Sequence, residues 1–90
     1  MNIYRVEYLS TVIDEVRHIG KRDLEAVKSR IVWLSEHVEN ISHQPLHGKE
    51  FRTKFKLRVG DYRVIYSIDR KRNVILIELI GHRSKIYKER

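Results

Sequence analysis

From Phe51 to Ile68 the apolar residues recur at every second position, and Gly60-Asp61 interrupts the alternation near its middle. A period of two is the mark of β-strands with one buried face. Phe51, Phe55, Leu57 and Val59 alternate with Arg52, Lys54, Lys56 and Arg58, and Thr53 fills the remaining inward position. After the Gly-Asp pair, Tyr62, Val64, Tyr66 and Ile68 share one face, with Arg63, Ile65, Ser67 and Asp69 on the other. A two-residue loop with glycine first suits a type II′ turn. Counting outward from it, Val59 faces Tyr62, Arg58 faces Arg63, Leu57 faces Val64, Lys56 faces Ile65 and Phe55 faces Tyr66. A slip of one residue would mix the faces, so the pattern selects this register. After the polar turn Arg70-Lys71-Arg72-Asn73, Val74 to Ile80 is apolar on both faces except at Glu78, which predicts an interior strand.

The first half reads differently. Ile3 to Tyr8 is rich in β-formers and predicts a short strand. Thr11 with Asp14 three residues on resembles a capping box, and Gly20 a C-terminal stop, so a first helix is expected between them. Leu24, Val27, Ile31, Leu34, Val38 and Ile41 are spaced by three and four, which puts them on one stripe of a second helix. The short connection predicts an antiparallel helix hairpin packed on the sheet through that stripe. Val32 and Trp33 lie off it and either widen the buried face or belong to a partner surface. Asn40 to Gly48, with Pro45, reads as a loop. The expectation is a single α+β domain over residues 1–90: an N-terminal strand and helix hairpin on an antiparallel sheet of about four strands.

Charge narrows the function. Residues 1–48 carry 6 Lys/Arg against 7 Asp/Glu, a net −1, whereas residues 49–90 carry 13 against 5, a net +8, so the positive charge of the chain, +7 in all, comes from the second half. Such asymmetry points to a polyanion partner, nucleic acid before anionic membrane. The chain has no cysteine, which excludes disulfides, thiolate zinc sites and a cysteine nucleophile and fits a reducing, cytoplasmic setting. No segment approaches the ~20 apolar residues of a membrane span, and Arg5 and Glu7 stand where a secretion signal would turn apolar.

The predicted register gathers Arg52, Lys54, Lys56, Arg58 and Arg63 on one face, with Arg58 directly opposite Arg63. Like charges set opposite one another destabilise a sheet. An anion bound across the face would relieve that cost; the alternative is an ordinary solvated strand face guarding against edge pairing. Gly81-His82-Arg83-Ser84 follows the last strand, with Tyr87 beyond. His82 can exchange protons near neutral pH, Arg83 can hold a phosphate, and Tyr87 can stack on a base. Equally, His82 can be a turn residue bonded to backbone and Tyr87 a packing aromatic. His43 and His47 flank Pro45 in a loop with no nearby Asp or Cys, so no metal site is expected.

Leu46-x-Gly48, then Lys54-x-Lys56-Leu57-Arg58-Val59-Gly60-Asp61-Tyr62-Arg63-Val64-Ile65-Tyr66, then Gly81-His82-Arg83-Ser84 and Tyr87, resemble the RelE branch of the RelE/ParE toxin superfamily. The resemblance implies the toxin of a type II toxin–antitoxin pair, an endoribonuclease that cuts mRNA in the ribosomal A site without metal or other cofactor. It implies a cognate antitoxin, the ribosome and mRNA as partners. By the family pattern Lys54 and Lys56 are the paired active-site lysines and Arg63 the phosphate-binding arginine. Arg83 and Tyr87 are the arginine and tail tyrosine. Arg58 is a recurrent basic position that, with Arg52, would contact RNA. His82 departs from the best-known RelE pattern; related toxins use a histidine in this region as a general acid. Two readings stand beside this one: a ParE-like gyrase poison, and a basic binding module of the same fold without catalysis.

Overall fold

The hairpin register counted from Gly60-Asp61 is the one found in the computed structural model, which describes residues 3–46 and 54–86. Strand β3 (Phe55–Val59) pairs with β4 (Tyr62–Asp69) as Phe55–Tyr66, Lys56–Ile65, Leu57–Val64, Arg58–Arg63 and Val59–Tyr62. Gly60 sits at φ +59° while Asp61 keeps a negative φ, as a type II′ turn requires. Arg52, Thr53, Phe51, His47, Gly48 and Tyr87 lie outside the described residues.

The remaining elements are β1 (Arg5–Tyr8), α1 (Ser10–Glu15), α2 (Lys21–Glu36), β2 (Gln44–Pro45), β5 (Val74–His82) and α3 (Arg83–Ile86). The sheet has five strands in the order β1-β5-β4-β3-β2. It exceeds the expected four because Gln44 and Pro45, read as loop, pair with Lys56 and Phe55. Pro45 is tolerated there because an edge strand does not need its missing N–H. β5 is interior, as its two-sided apolar pattern predicts. The sheet is not wholly antiparallel, since β1 runs parallel to β5. That pairing is possible because α1 and α2 intervene and carry the chain back across the sheet.

Two helix signals were misleading. Thr11 does not cap α1, which starts at Ser10 with Leu9 as an N-cap that offers no side-chain bond. The Leu9 N–H is already committed to the Ile77 carbonyl (3.1 Å), so the chain turns straight off β1 into the helix. Gly20 does not close α1 but precedes α2 at φ −59°. A 3₁₀ turn over Val16–His18 ends the first helix instead. The α2 stripe holds: Val27, Ile31 and Leu34 are buried on the helix and Val38 on the 3₁₀ turn Val38–Asn40, with Leu24 and Ile41 half-buried. Trp33 is half-buried against the core, its indole under the Arg30 guanidinium (4.2 Å) and stacked with the His37 ring (4.9 Å), while Val32 is exposed.

The core lies between α2 and the sheet face bearing Leu57, Val64, Tyr66, Ile75 and Ile77. Two polar bonds tie loops to it. His43 Nε2–H donates to the Val38 carbonyl (2.8 Å), which leaves Nδ1 to accept from the buried Tyr66 hydroxyl (2.6 Å). Burial pushes the Tyr66 phenol up to about 12. The Tyr4 hydroxyl donates to Glu39 (2.6 Å), whose other oxygen accepts from Arg70 (2.9 Å). The Tyr4 hydrogen bond, supported by the Arg70 charge, holds the Glu39 carboxyl below its usual range.

Candidate active site

The sheet face turned away from the core carries Lys56, Arg58 and Arg63, because residues opposite one another share a face. Lys54 extends the β3 row by one more outward position. Alternate residues on a strand stand about 6.7 Å apart, so Lys54, Lys56 and Arg58 span roughly 13 Å. Arg58 is exposed. Arg63 is not: it is 5% exposed, in contrast to the expectation of an open cationic face. Its strand lies between two others, and its Nη1 donates to the carbonyls of Gly60 and Tyr62, both at 2.9 Å.

The face holds an acid as well. The β4–β5 pairing runs from Asp69–Val74 to Tyr66–Ile77, slips by one residue at Glu78, then resumes as Ile65–Leu79, Arg63–Gly81 and Tyr62–His82. Glu78 is thus the extra residue of a β-bulge, which re-aims the side chains beyond it. Its carboxylate accepts from Lys54 Nζ (2.5 Å) and from Ser67 Oγ (2.8 Å). The isolated acid in an otherwise apolar strand was the sequence signal for this residue, but its partners were not evident.

The bulge also decides where the C-terminal cluster points. Gly81 comes to lie opposite Arg63, and His82 opposite Tyr62, on the core side of the sheet. His82 packs edge-on against Tyr62 (5.6 Å between rings) and lines an open groove of about 270 Å³ with Glu15, His18 and Lys85. Its Nδ1 accepts from the Ser84 N–H (3.2 Å), so the neutral ring carries its proton on Nε2. His82 is therefore placed on the opposite face from Lys54, Lys56 and Arg63, at the same end of the sheet as Arg63. Arg83, the first residue of α3, reaches the hairpin turn: its N–H donates to the Asp61 carbonyl (2.8 Å) and its guanidinium lies 3.8 Å from the Asp61 carboxylate. Gly81 permits close approach here, since a Cβ on it would meet Ile86 Cγ1 at 3.2 Å. Ile86 thereby packs onto β5 at Gly81.

The structure thus brings Arg58, Arg63 and Arg83 to the hairpin end, with Lys56 and Lys54 successively further along β3. Such an array can stabilise a phosphate acquiring negative charge. Among the described residues no cluster of His, Asp or Glu has the geometry of a metal site, and His43 uses both ring nitrogens within the fold. No described helix is long and apolar enough to cross a membrane.

Residues 3–87 match the family model for the ParE toxin of type II toxin–antitoxin systems. The chain is 35% identical over 78 residues to Toxin RelG of Mycobacterium tuberculosis, covering 77% of this chain and 87% of that one. Its fold is similar to a chain of the toxin–antitoxin complex RelBE2 of M. tuberculosis, with TM-score 0.80, 27% identity, and 94% and 97% of the two chains covered. It is also similar to a chain of the archaeal RelE–RelB complex of Pyrococcus horikoshii (TM-score 0.73, 27% identity, 94% and 99% covered). The isolated Escherichia coli RelE toxin has the same fold at TM-score 0.74 and 22% identity, with 96% and 93% covered.

Proposed function

The chain belongs to the RelE/ParE superfamily of type II toxin–antitoxin toxins, and on that premise we propose that it is a ribosome-dependent mRNA interferase of the RelE kind. The observation that carries this reading is the cationic row Lys54, Lys56, Arg58 and Arg63 along one hairpin face, with Arg83 at its turn. RNA supplies its own nucleophile. The 2′-oxygen attacks the adjacent phosphorus, its proton leaves to a base, and the departing 5′-oxygen takes a proton from an acid. The phosphorane-like state between them is more negative than the starting diester. Arg63, Lys56 and Arg83 stabilise that charge in this scheme. Arg58, with Arg52, binds the RNA backbone. Lys54 and Tyr87 are the candidates for proton transfer, and Tyr87 also suits stacking on a base; His82, expected to join them, is set aside because it lies on the opposite face of the sheet from the cationic row. The ribosome aligns the substrate, which suits a row of cations without paired histidines.

The structural relatives crystallised with RelB support a cognate antitoxin as partner. An acidic or amphipathic segment over the basic face would block RNA. A second reading has its own support, since the matching family model describes ParE toxins. Induction in cells followed by primer extension separates the two. In-frame cuts within translated codons support the interferase; intact transcripts with damaged DNA support a gyrase poison.

A further inference from the structure

The bulge at Glu78 sets one residue from each of three adjacent strand segments in a row across the cationic face. Continuing the β3–β4 register by one step places Lys54 opposite Ser67, and both reach Glu78 on β5. Ser67 Oγ donates to one carboxylate oxygen and Lys54 Nζ to the other, so the carboxylate is braced from one side while it holds the ammonium from the other. The pair is partly shielded, with side-chain exposures of 28% for Lys54 and 16% for Glu78. That separates it from surface ion pairs, whose contribution is often nil.

We propose that Glu78 is a positioning residue that keeps Lys54 as a fixed cation, so that Lys54 stabilises charge on the substrate and does not take a proton from it. The inference rests on the interferase reading and removes Lys54 from its list of proton carriers. A base needs a lone pair aimed at the 2′-hydroxyl. An amine in that state would leave Glu78 a half-buried carboxylate without its counter-charge, and breaking such a pair is costly. As an ammonium, Lys54 has three N–H donors, of which Glu78 takes one. The others are aimed by a braced anchor, in place of a freely rotating four-carbon stem.

The test is single-turnover cleavage of mRNA on programmed ribosomes by wild type, E78Q, K54A, K54R and the E78Q/K54A double variant. E78Q is expected to lower the rate at saturating toxin by about tenfold, with half-saturation moved less than about threefold. In the K54A background E78Q should change the rate less than about twofold, since the effect passes through Lys54. K54R keeps the charge but is unable to act as a base, and should recover at least about a tenth of the wild-type rate while K54A stays far below. An equal E78Q loss with and without Lys54, no E78Q loss at all, or K54R as slow as K54A would overturn the proposal. Should E78Q not fold, S67A removes the other brace and should slow cleavage in the same Lys54-dependent way. Nitrogen NMR of the lysine ammonium groups in the free toxin reads the pair without ribosomes. The Lys54 signal should be sharp in wild type and broadened in S67A or E78Q, and an unchanged signal counts against the anchor. Wild type failing to cut on ribosomes would reject the interferase reading, whereas the NMR comparison would still decide the anchor.

Discussion

Replacing Tyr66 by phenylalanine should change the pH dependence of stability more than stability itself. The Tyr66 ring is 1% exposed, and its hydroxyl donates to His43 Nδ1 at 2.6 Å. Burial raises the phenol from 10.0 to about 12. A raised folded-state value means that the folded chain holds the proton more tightly than the unfolded one. The associated stability is complete below pH 10 and is lost as pH climbs through 12. For a two-unit displacement the loss is about 1.4 kcal/mol by pH 11 and about 2.3 kcal/mol by pH 12. Near neutrality, Y66F removes the hydroxyl and leaves His43 Nδ1 without its donor, at a cost of about 1–2 kcal/mol. Urea unfolding of both proteins from pH 8 to 12 measures the difference directly. Lysines and other tyrosines titrate in both and cancel in the comparison. Y66F should be the less stable protein at pH 8, and the gap should close or reverse by pH 12. Parallel curves across the range would refute the argument, because they would mean that the phenol ionises alike in both states.

Three other substitutions test separate parts of the fold and site. The Glu39 carboxyl is held low by Tyr4 and Arg70, so its stabilisation is present above the ordinary carboxylate range and fades as pH falls through the folded value; E39Q should flatten the acid side of the stability profile, read from urea midpoints between pH 7 and 3. Gly60 stands at φ +59° with open space for a Cβ, so G60A should cost about 1–2 kcal/mol through backbone strain alone, read by thermal unfolding. R63K keeps the charge, but its shorter stem and compact ammonium do not reproduce the planar guanidinium whose Nη1 reaches the Gly60 and Tyr62 carbonyls; it should lower stability by about 1 kcal/mol and reduce RNA cleavage even though the charge is retained.

The β3–β4 hairpin was legible because its signals are local. Gly60 fixes the turn, and every pair is reached by counting from it. The α2 stripe was legible for the same reason, since helical spacing needs no knowledge of a partner. The terminal signals around Thr11 and Gly20 failed because a tertiary bond, Leu9 N–H to Ile77, and a 3₁₀ turn took over their functions. Pro45 looked like loop because pairing of so short an edge strand depends on β3, not on its own residues. The site was legible in part. Side-chain identity placed Lys56, Arg58 and Arg63 on one face, but burial of Arg63 comes from its neighbours in three dimensions. The face of His82 was hidden for a sharper reason. One extra residue at Glu78 reverses the alternation downstream, and nothing in the strand's own apolar pattern marks where that slip occurs.

Purified toxin added to a reconstituted translation reaction, with mRNA ends mapped to the nucleotide, addresses the central assignment most directly. The account predicts breaks inside the codon occupying the A site, none in the same mRNA without ribosomes, and their loss in an Arg63→Ala protein that remains folded. Uncut mRNA together with arrested supercoiling in a parallel gyrase reaction would contradict it, as would undiminished cutting by Arg63→Ala.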